Sequence, residues 1–277
     1  LSAVSEAIEA GDLPGRVWMY ANYNCNLACT YCLTESAPGV PKRGLSADEM
    51  IRIATEAAEL GFTDIGVTGG EPFLLAHLPT TLATIAEILP TFCLSNATLF
   101  NDKRLDTLDV LAGKDFAIQI SLDSPDPDVN DEMRGPENFA KVVEAIPKLI
   151  DRGIRVRIAT TTEPGRLDAD DHVRLCALHR SLGISDDDHL VRPIVNRGRA
   201  VDFGLGTTFT PEEIPAELCI TADGAFWSPF GPTVLNGRVY TDLLVSRQTA
   251  PLSVPAELLR RAVMGRPHGD DVKIGIR

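Results

Sequence analysis

The chain has 277 residues, 44% hydrophobic and 23% charged, which is enough for one barrel-sized domain or one domain with a small appendage. Its formal net charge of −13 argues against nonspecific binding to nucleic acid or to an anionic membrane, because both need a basic face. No apolar run approaches a membrane span, no signal peptide is apparent, and six cysteines in a chain this long make no disulfide scaffold, so a reducing cytoplasm is the expected compartment.

Residues 1–15 read as an N-terminal arm, weakly amphipathic over 2–10 and ended by Gly11-Asp12. Residues 16–23 are rich in aromatic and apolar side chains and predict the first strand. That strand runs directly into Cys25-Asn26-Leu27-Ala28-Cys29-Thr30-Tyr31-Cys32. Three thiols spaced by three and then two residues can converge on one metal centre. A [4Fe–4S] cluster normally takes four cysteines, so three leave one iron open to a ligand other than protein. The competing reading is a structural zinc site with a distant fourth ligand. Zinc wants four closed ligands, and no Cys or His follows Cys32 before His77.

Ser46 and Glu49 have the spacing of a capping box, and a helix follows through Met50, Ile53, Ala57 and Leu60 until Gly61. Asp64–Thr68 predicts a second strand, which ends in Gly69-Gly70-Glu71-Pro72. The unit then repeats: helix 79–89 and strand 91–95, helix 102–112 and strand 115–122, helix 137–152 and strand 154–161, helix 168–182 and strand 189–195. Such alternation with short connections predicts a parallel sheet with right-handed crossovers. Six strands rather than eight predict an α/β fold, a partial (β/α)6 TIM-type barrel over residues 16–200, with its chemistry at the C-terminal strand ends. Beyond residue 200 Gly and Pro become frequent. Segments 216–221 and 225–227 flank Asp223-Gly224, a hairpin signal, and 255–264 predicts a helix. Residues 201–277 are therefore expected to form a small C-terminal hairpin cap.

Strand alternation adds candidates inside the barrel. In the fourth strand Ala117, Gln119, Ser121 and Asp123 share the face opposite Phe116, Ile118, Ile120 and Leu122. Buried parallel strands usually read as continuous apolar runs, so a polar inward stripe predicts a liganded interior. In the fifth strand Arg155, Arg157, Ala159 and Thr161 are expected to face inward. An interior arginine needs an anionic partner, and Arg155, nearer the strand start, is the more structural of the two. Arg192 and Asn196 share a face of the sixth strand, so Gln119, Arg157 and Arg192 are the candidate substrate contacts. The histidines are dispersed and show no metal spacing, and Cys93 and Cys176 read as inert buried thiols.

The three-cysteine loop, with Tyr31 just before its last cysteine, resembles the radical S-adenosylmethionine (SAM) superfamily, and the resemblance covers most of residues 16–200. It implies one [4Fe–4S] cluster on Cys25, Cys29 and Cys32, with SAM chelating the open iron. One electron then cleaves SAM to a 5′-deoxyadenosyl radical that abstracts hydrogen from a substrate. Gly69, Gly70 and Glu71 match the family's glycine-glycine-glutamate stretch, which binds the SAM ammonium group. Ser121 and Asp123 match its Ser-x-Asp SAM contact. Residues 131–135 resemble its Asp-x-x-Arg-Gly stretch, which assigns Arg134 to the SAM carboxylate or to bracing the loop. Residues 191–200 resemble the sixth strand and loop that hold adenine, with Val195 as a contact, and Tyr31 is expected to pack over the cluster or adenine.

Residues 218–230 resemble the start of a SPASM or twitch extension, but no cysteine follows Gly224, so the ligands of an auxiliary cluster are missing and the hairpin is expected to act as a lid. Cys219 is a candidate hydrogen-atom donor on condition that it faces the barrel mouth. The implied partners are a flavodoxin- or ferredoxin-type electron donor and a small-molecule or natural-product precursor carrying an anionic group. A radical SAM peptide maturase is the alternative. A non-catalytic Fe–S sensor or electron carrier and a zinc-stabilised binding module are the readings from other classes.

Overall fold

The structure, a computed structural model, describes residues 2–265. The last twelve residues of the expected cap, including His268, lie outside them. Helix α1 (Ala3–Glu9) is capped by Ser2 and leads to β1 (Arg16–Tyr20). Helix α2 (Ala47–Glu59) starts at the expected capping box, where the Ser46 N–H donates to Glu49 at 2.8 Å and the Glu49 N–H donates back to Ser46 at 3.3 Å.

Three further units follow: β2 (Asp64–Thr68) with α3 (Leu78–Ile85), β3 (Thr91–Ser95) with α4 (Asp102–Asp106), and β4 (Phe116–Ser121). After β4 comes a helix the periodicity did not predict, α5 (Pro127–Arg134), started by an Asp126 cap and Pro127 in its first turn. Helix α6 (Asn138–Asp151), β5 (Arg155–Thr162), α7 (Ala169–Ser181) and β6 (His189–Pro193) complete the array. Strands β1 to β6 pair in sequence order, all parallel, with Ile65 opposite Val17 and Ile158 opposite Ile120. All four of these side chains are buried completely.

The C-terminal part departs from a cap. The hairpin forms, as β7 (Cys219–Thr221) and β8 (Gly224–Phe226), but β7 lies parallel to β1 with Cys219 opposite Trp18. It therefore extends the barrel sheet, and it is not a lid over the mouth. A small ribbon of β9 (Val234–Leu235) and β10 (Arg238–Val239) follows, then β11 (Leu244–Ser246) pairs with β8 and α8 (Ser253–Met264) packs beside α1. Among the described residues the main sheet has nine strands, ordered β11-β8-β7-β1-β2-β3-β4-β5-β6, so β1, an edge in a six-strand array, is covered on both sides. Among the described residues, no helix is long and apolar enough to cross a membrane.

Candidate functional site

The cysteine loop leaves β1 at its C-terminal end and crosses the mouth of the barrel. Cys25 is buried, and its sulfur accepts from the Leu27 N–H at 3.3 Å and from Asn96 Nδ2 at 3.6 Å. Cys29 donates to the Arg134 carbonyl at 3.8 Å, and Cys32 lies 3.7 Å from Thr34 Oγ1. Burial pushes the Cys25 thiol up to about 12 and the Cys29 thiol in the same direction. Metal ligation reverses that preference by stabilising the thiolate. Three cysteine thiolates on one loop suit a [4Fe–4S] cluster that keeps one iron open.

One cleft unites most of the expected residues. Cys25, Cys29 and Cys32 line it together with Tyr31, Gly69 and Gly70. Ser121, Arg134, Arg192 and Val195 line its other walls, and Pro229 and Phe230, just after the hairpin, reach it too.

Asp123 has turned away from this cleft. Its carboxylate accepts from the Thr161 N–H at 2.9 Å, from Arg134 Nη1 at 3.1 Å and from the Tyr31 hydroxyl. Arg134 also donates to the Tyr31 oxygen, and its guanidinium lies 5.8 Å from the Tyr31 ring centroid. Arg134 Nε is buried and has no hydrogen-bond partner. A cation on the cleft wall with an unmet donor fits an amino-acid carboxylate.

Glu71 is likewise withdrawn. Its fully buried carboxylate accepts from Ser95 Oγ at 3.0 Å, the Phe73 N–H at 3.1 Å and the Asn96 N–H at 2.8 Å. It ties the end of β2 to the end of β3 and does not line the cleft. Burial pushes it up to about 7, against the downward pull of those three donors. Gly70 is required by backbone, since a Cβ there would sit 2.2 Å from the Asn24 carbonyl oxygen. The two glycines bring the β2 turn against the entry to the cysteine loop.

Four more of the residues singled out from sequence lie elsewhere. Gln119 is buried with no partner for either amide atom and is not on the cleft wall. Arg157 is turned to the strand-start end, its guanidinium 5.4 Å from the Phe92 ring centroid and in the fields of Asp188 and Asp64. Arg155 pairs with Asp188 at 2.6 Å on the surface. Cys219 is fully buried in β7 among the core side chains, so it does not face the mouth and cannot meet a substrate radical there.

Arg199, in the loop after β6, is a brace. Its N–H donates to the Cys32 carbonyl at 2.9 Å, Nη1 to the Cys29 carbonyl at 2.7 Å and Nη2 to the Ser36 carbonyl at 3.0 Å. Gly198 before it has φ +59°, and a Cβ there would lie 2.3 Å from the Leu33 carbonyl oxygen. Arg197 pairs with Asp242 at 2.8 Å and, like Arg199, does not line the cleft, whereas Arg192 does.

A GTP 3′,8-cyclase of Chlorobaculum tepidum is 35% identical over 129 residues, 46% of this chain and 38% of the relative. The sporulation killing factor maturation protein SkfB of Bacillus subtilis is 29% identical over 156 residues, 55% of this chain and 37% of the relative. The matched stretch thus spans under two-fifths of either relative. Among solved structures, Streptococcus suis SuiB bound to SAM superposes with a TM-score of 0.57 at 19% identity, covering 68% of this chain and 43% of SuiB. Native anSMEcpe with bound SAM and Cp18Cys peptide gives 0.60 at 12% identity, covering 94% of this chain and 85% of that one. These likenesses concern the fold. Residues 19–176, more than half of the chain, match the sequence profile of the Radical SAM superfamily, and the chain belongs to that superfamily of enzymes, whose cofactors are a [4Fe–4S] cluster and SAM.

Proposed function

We propose that this chain cleaves SAM reductively and abstracts hydrogen from a small-molecule or natural-product precursor bearing an anionic group. The carrying observation is that the three cysteines line the same cleft as Arg134 and Arg192. When bound, the cluster supplies the electron that breaks the SAM sulfonium and so delivers a 5′-deoxyadenosyl radical. Cys25, Cys29 and Cys32 hold the cluster. The Gly69 and Gly70 backbone, Ser121, Arg134, Tyr31 and Val195 bind and orient SAM. Asp123 and Glu71 position these groups from behind, as their saturated hydrogen bonds describe.

Arg192 sets the substrate class. It donates to Thr161 Oγ1 at 3.1 Å, and among the described residues it makes no ion pair. A half-buried cation in a cleft favours a carboxylate or phosphate beside it. The GTP 3′,8-cyclase relatives act, by name, on a phosphorylated small molecule. Peptide maturation is the second reading, supported by the SkfB relative. A flavodoxin- or ferredoxin-type donor in the cytoplasm completes either reading.

The test is anaerobic reconstitution with iron and sulfide, then SAM and dithionite, with 5′-deoxyadenosine as product. Cys29→Ala is expected to lose both the cluster and the product. Persistent 5′-deoxyadenosine formation by that variant would sink the assignment. A panel of nucleoside triphosphates, sugar phosphates and short peptides, scored by deuterium exchange into 5′-deoxyadenosine, separates the two substrate readings.

A further inference from the structure

We propose that His172, Cys176 and His189 form a second metal site, for a zinc-class divalent cation, that staples α7 to β6. The three donor atoms lie within 4.8 Å of one another. His172 and Cys176 are four residues apart on α7 and so share one face of it. His189 opens β6, opposite Ile158, which is buried completely. The helix and the strand that follows it thus bring together residues that are dispersed in sequence.

The His172–Cys176 spacing and the chemistry of the three donors suit a tetrahedral zinc sphere. His172 Nδ1 and Cys176 Sγ are 3.8 Å apart, against about 3.6 Å between nitrogen and sulfur ligands of tetrahedral zinc. Two imidazoles and a thiol form a borderline-soft set, which favours zinc over magnesium or calcium. Thr160 supports the arrangement from behind. Its hydroxyl donates to the Leu122 carbonyl at 2.8 Å, so His189 Nε2, 3.0 Å away, must be the donor to Thr160. Nδ1 of His189 then keeps its lone pair, as a histidine ligand with a second hydrogen bond requires.

A separate observation marks the seam. His179, on the same helix, is fully buried, and neither ring nitrogen has a hydrogen-bond partner. Its ring packs edge-on against His189, with centroids 4.4 Å apart. Three imidazoles and a thiol therefore meet at this seam, and the buried one, His179, leaves both ring nitrogens unmet among the described residues, which is costly. The seam also has a mechanical reason for a staple, since among the described residues β6 ends the sheet and pairs only with β5. The site is separate from the cysteine cleft, because Thr161 and Arg192 line the cleft whereas Thr160 and His189 do not.

The test uses the cluster-reconstituted full chain under anaerobic conditions, with Co²⁺ as the optical probe and Zn²⁺ as competitor. One equivalent of Co²⁺ is expected, with a thiolate-to-cobalt charge-transfer band that Zn²⁺ abolishes. Cys176→Ser should remove that band with the iron content unchanged. His172 is exposed, so His172→Ala leaves the fold intact and should weaken Co²⁺ binding by more than the roughly 10- to 100-fold cost of a lost supporting group. The absence of a thiolate band, its persistence in Cys176→Ser, or unchanged affinity in His172→Ala overturns the site.

Discussion

The Asp123 carboxylate meets the Arg134 guanidinium at 3.1 Å, with the two side chains only 0% and 6% exposed. Tyr31, from inside the cysteine loop, donates to the same carboxylate. One buried ion pair therefore fastens the end of β4, the end of α5 and the cluster loop to each other. Removing one partner of such a pair leaves an uncompensated buried charge, which costs about 3–5 kcal/mol. Asp123→Ala is expected to lose that much in urea unfolding of the cluster-free chain. The double variant Asp123→Ala/Arg134→Met should recover most of it. Equal destabilisation in the single and double variants would show that the pair itself is not the cause.

Gly198 is predicted to be as necessary for the cluster as a cysteine. Its φ of +59° is one that alanine reaches at a cost of roughly 1–2 kcal/mol. The larger effect is contact, because a Cβ would lie 2.3 Å and 2.5 Å from the carbonyl oxygens of Leu33 and Cys32. Backbone cannot rotate out of the way as a side chain can. Gly198→Ala should shift the loop and lower iron incorporation while far-UV circular dichroism stays unchanged. Full iron occupancy in that variant would contradict the brace described for residues 198 and 199.

These two features show what was legible in the sequence and what was not. Asp64–Thr68 and Thr91–Ser95 have the predicted bounds, because parallel strands read as short apolar runs between turn residues. The cysteine spacing is local, so the metal loop is legible at once. Pairing of β7 with β1 is not local: Cys219 and Trp18 meet across most of the chain, and a three-residue strand carries no period. Arg199 was illegible for a similar reason, since composition does not tell a solvated guanidinium from one that donates to two loop carbonyls. Arg157 failed through register. Alternation gave its face but not its height, and it lies at the strand-start end. The four-residue spacing of His172 and Cys176 was present in the sequence, whereas His189 joins them only through tertiary packing.

Glu71 should leave a signature in the pH dependence of stability. Burial raises its folded-state value from 4.5 to about 7. Between those values the folded chain keeps a proton that the unfolded chain has released. Stability from this group is thus fully present below about 4.5 and is lost as pH rises to about 7, by on the order of 3 kcal/mol at most. Cys25, pushed up to about 12, does not titrate in that window. Urea unfolding of the cluster-free chain at pH 5 and pH 8 measures the slope. Glu71→Gln should flatten it and lower stability at both, since an amide cannot accept all three existing hydrogen bonds. An unchanged slope in that variant would remove Glu71 as its source.

In the proposed function, Arg192 decides between an anionic and a neutral substrate. Burial pulls its value down, while Tyr31 and Asp123 push it up and Arg134 adds to the fall. Its one hydrogen bond, to Thr161 Oγ1, leaves the rest of the guanidinium fork for a ligand. A hydrogen bond to a charged group contributes about 1.5–3 kcal/mol, or roughly 10- to 150-fold in affinity. Arg192→Ala should weaken the tightest phosphorylated member of the substrate panel by that factor. Arg192→Lys should recover only part of it, because an ammonium carries the charge without the fork. The dependence on salt should fall together with the affinity, since the lost contact is electrostatic. If SAM affinity fell equally in both variants while the phosphorylated ligand bound as before, Arg192 would belong to the SAM carboxylate, and the anionic substrate would lose its main support.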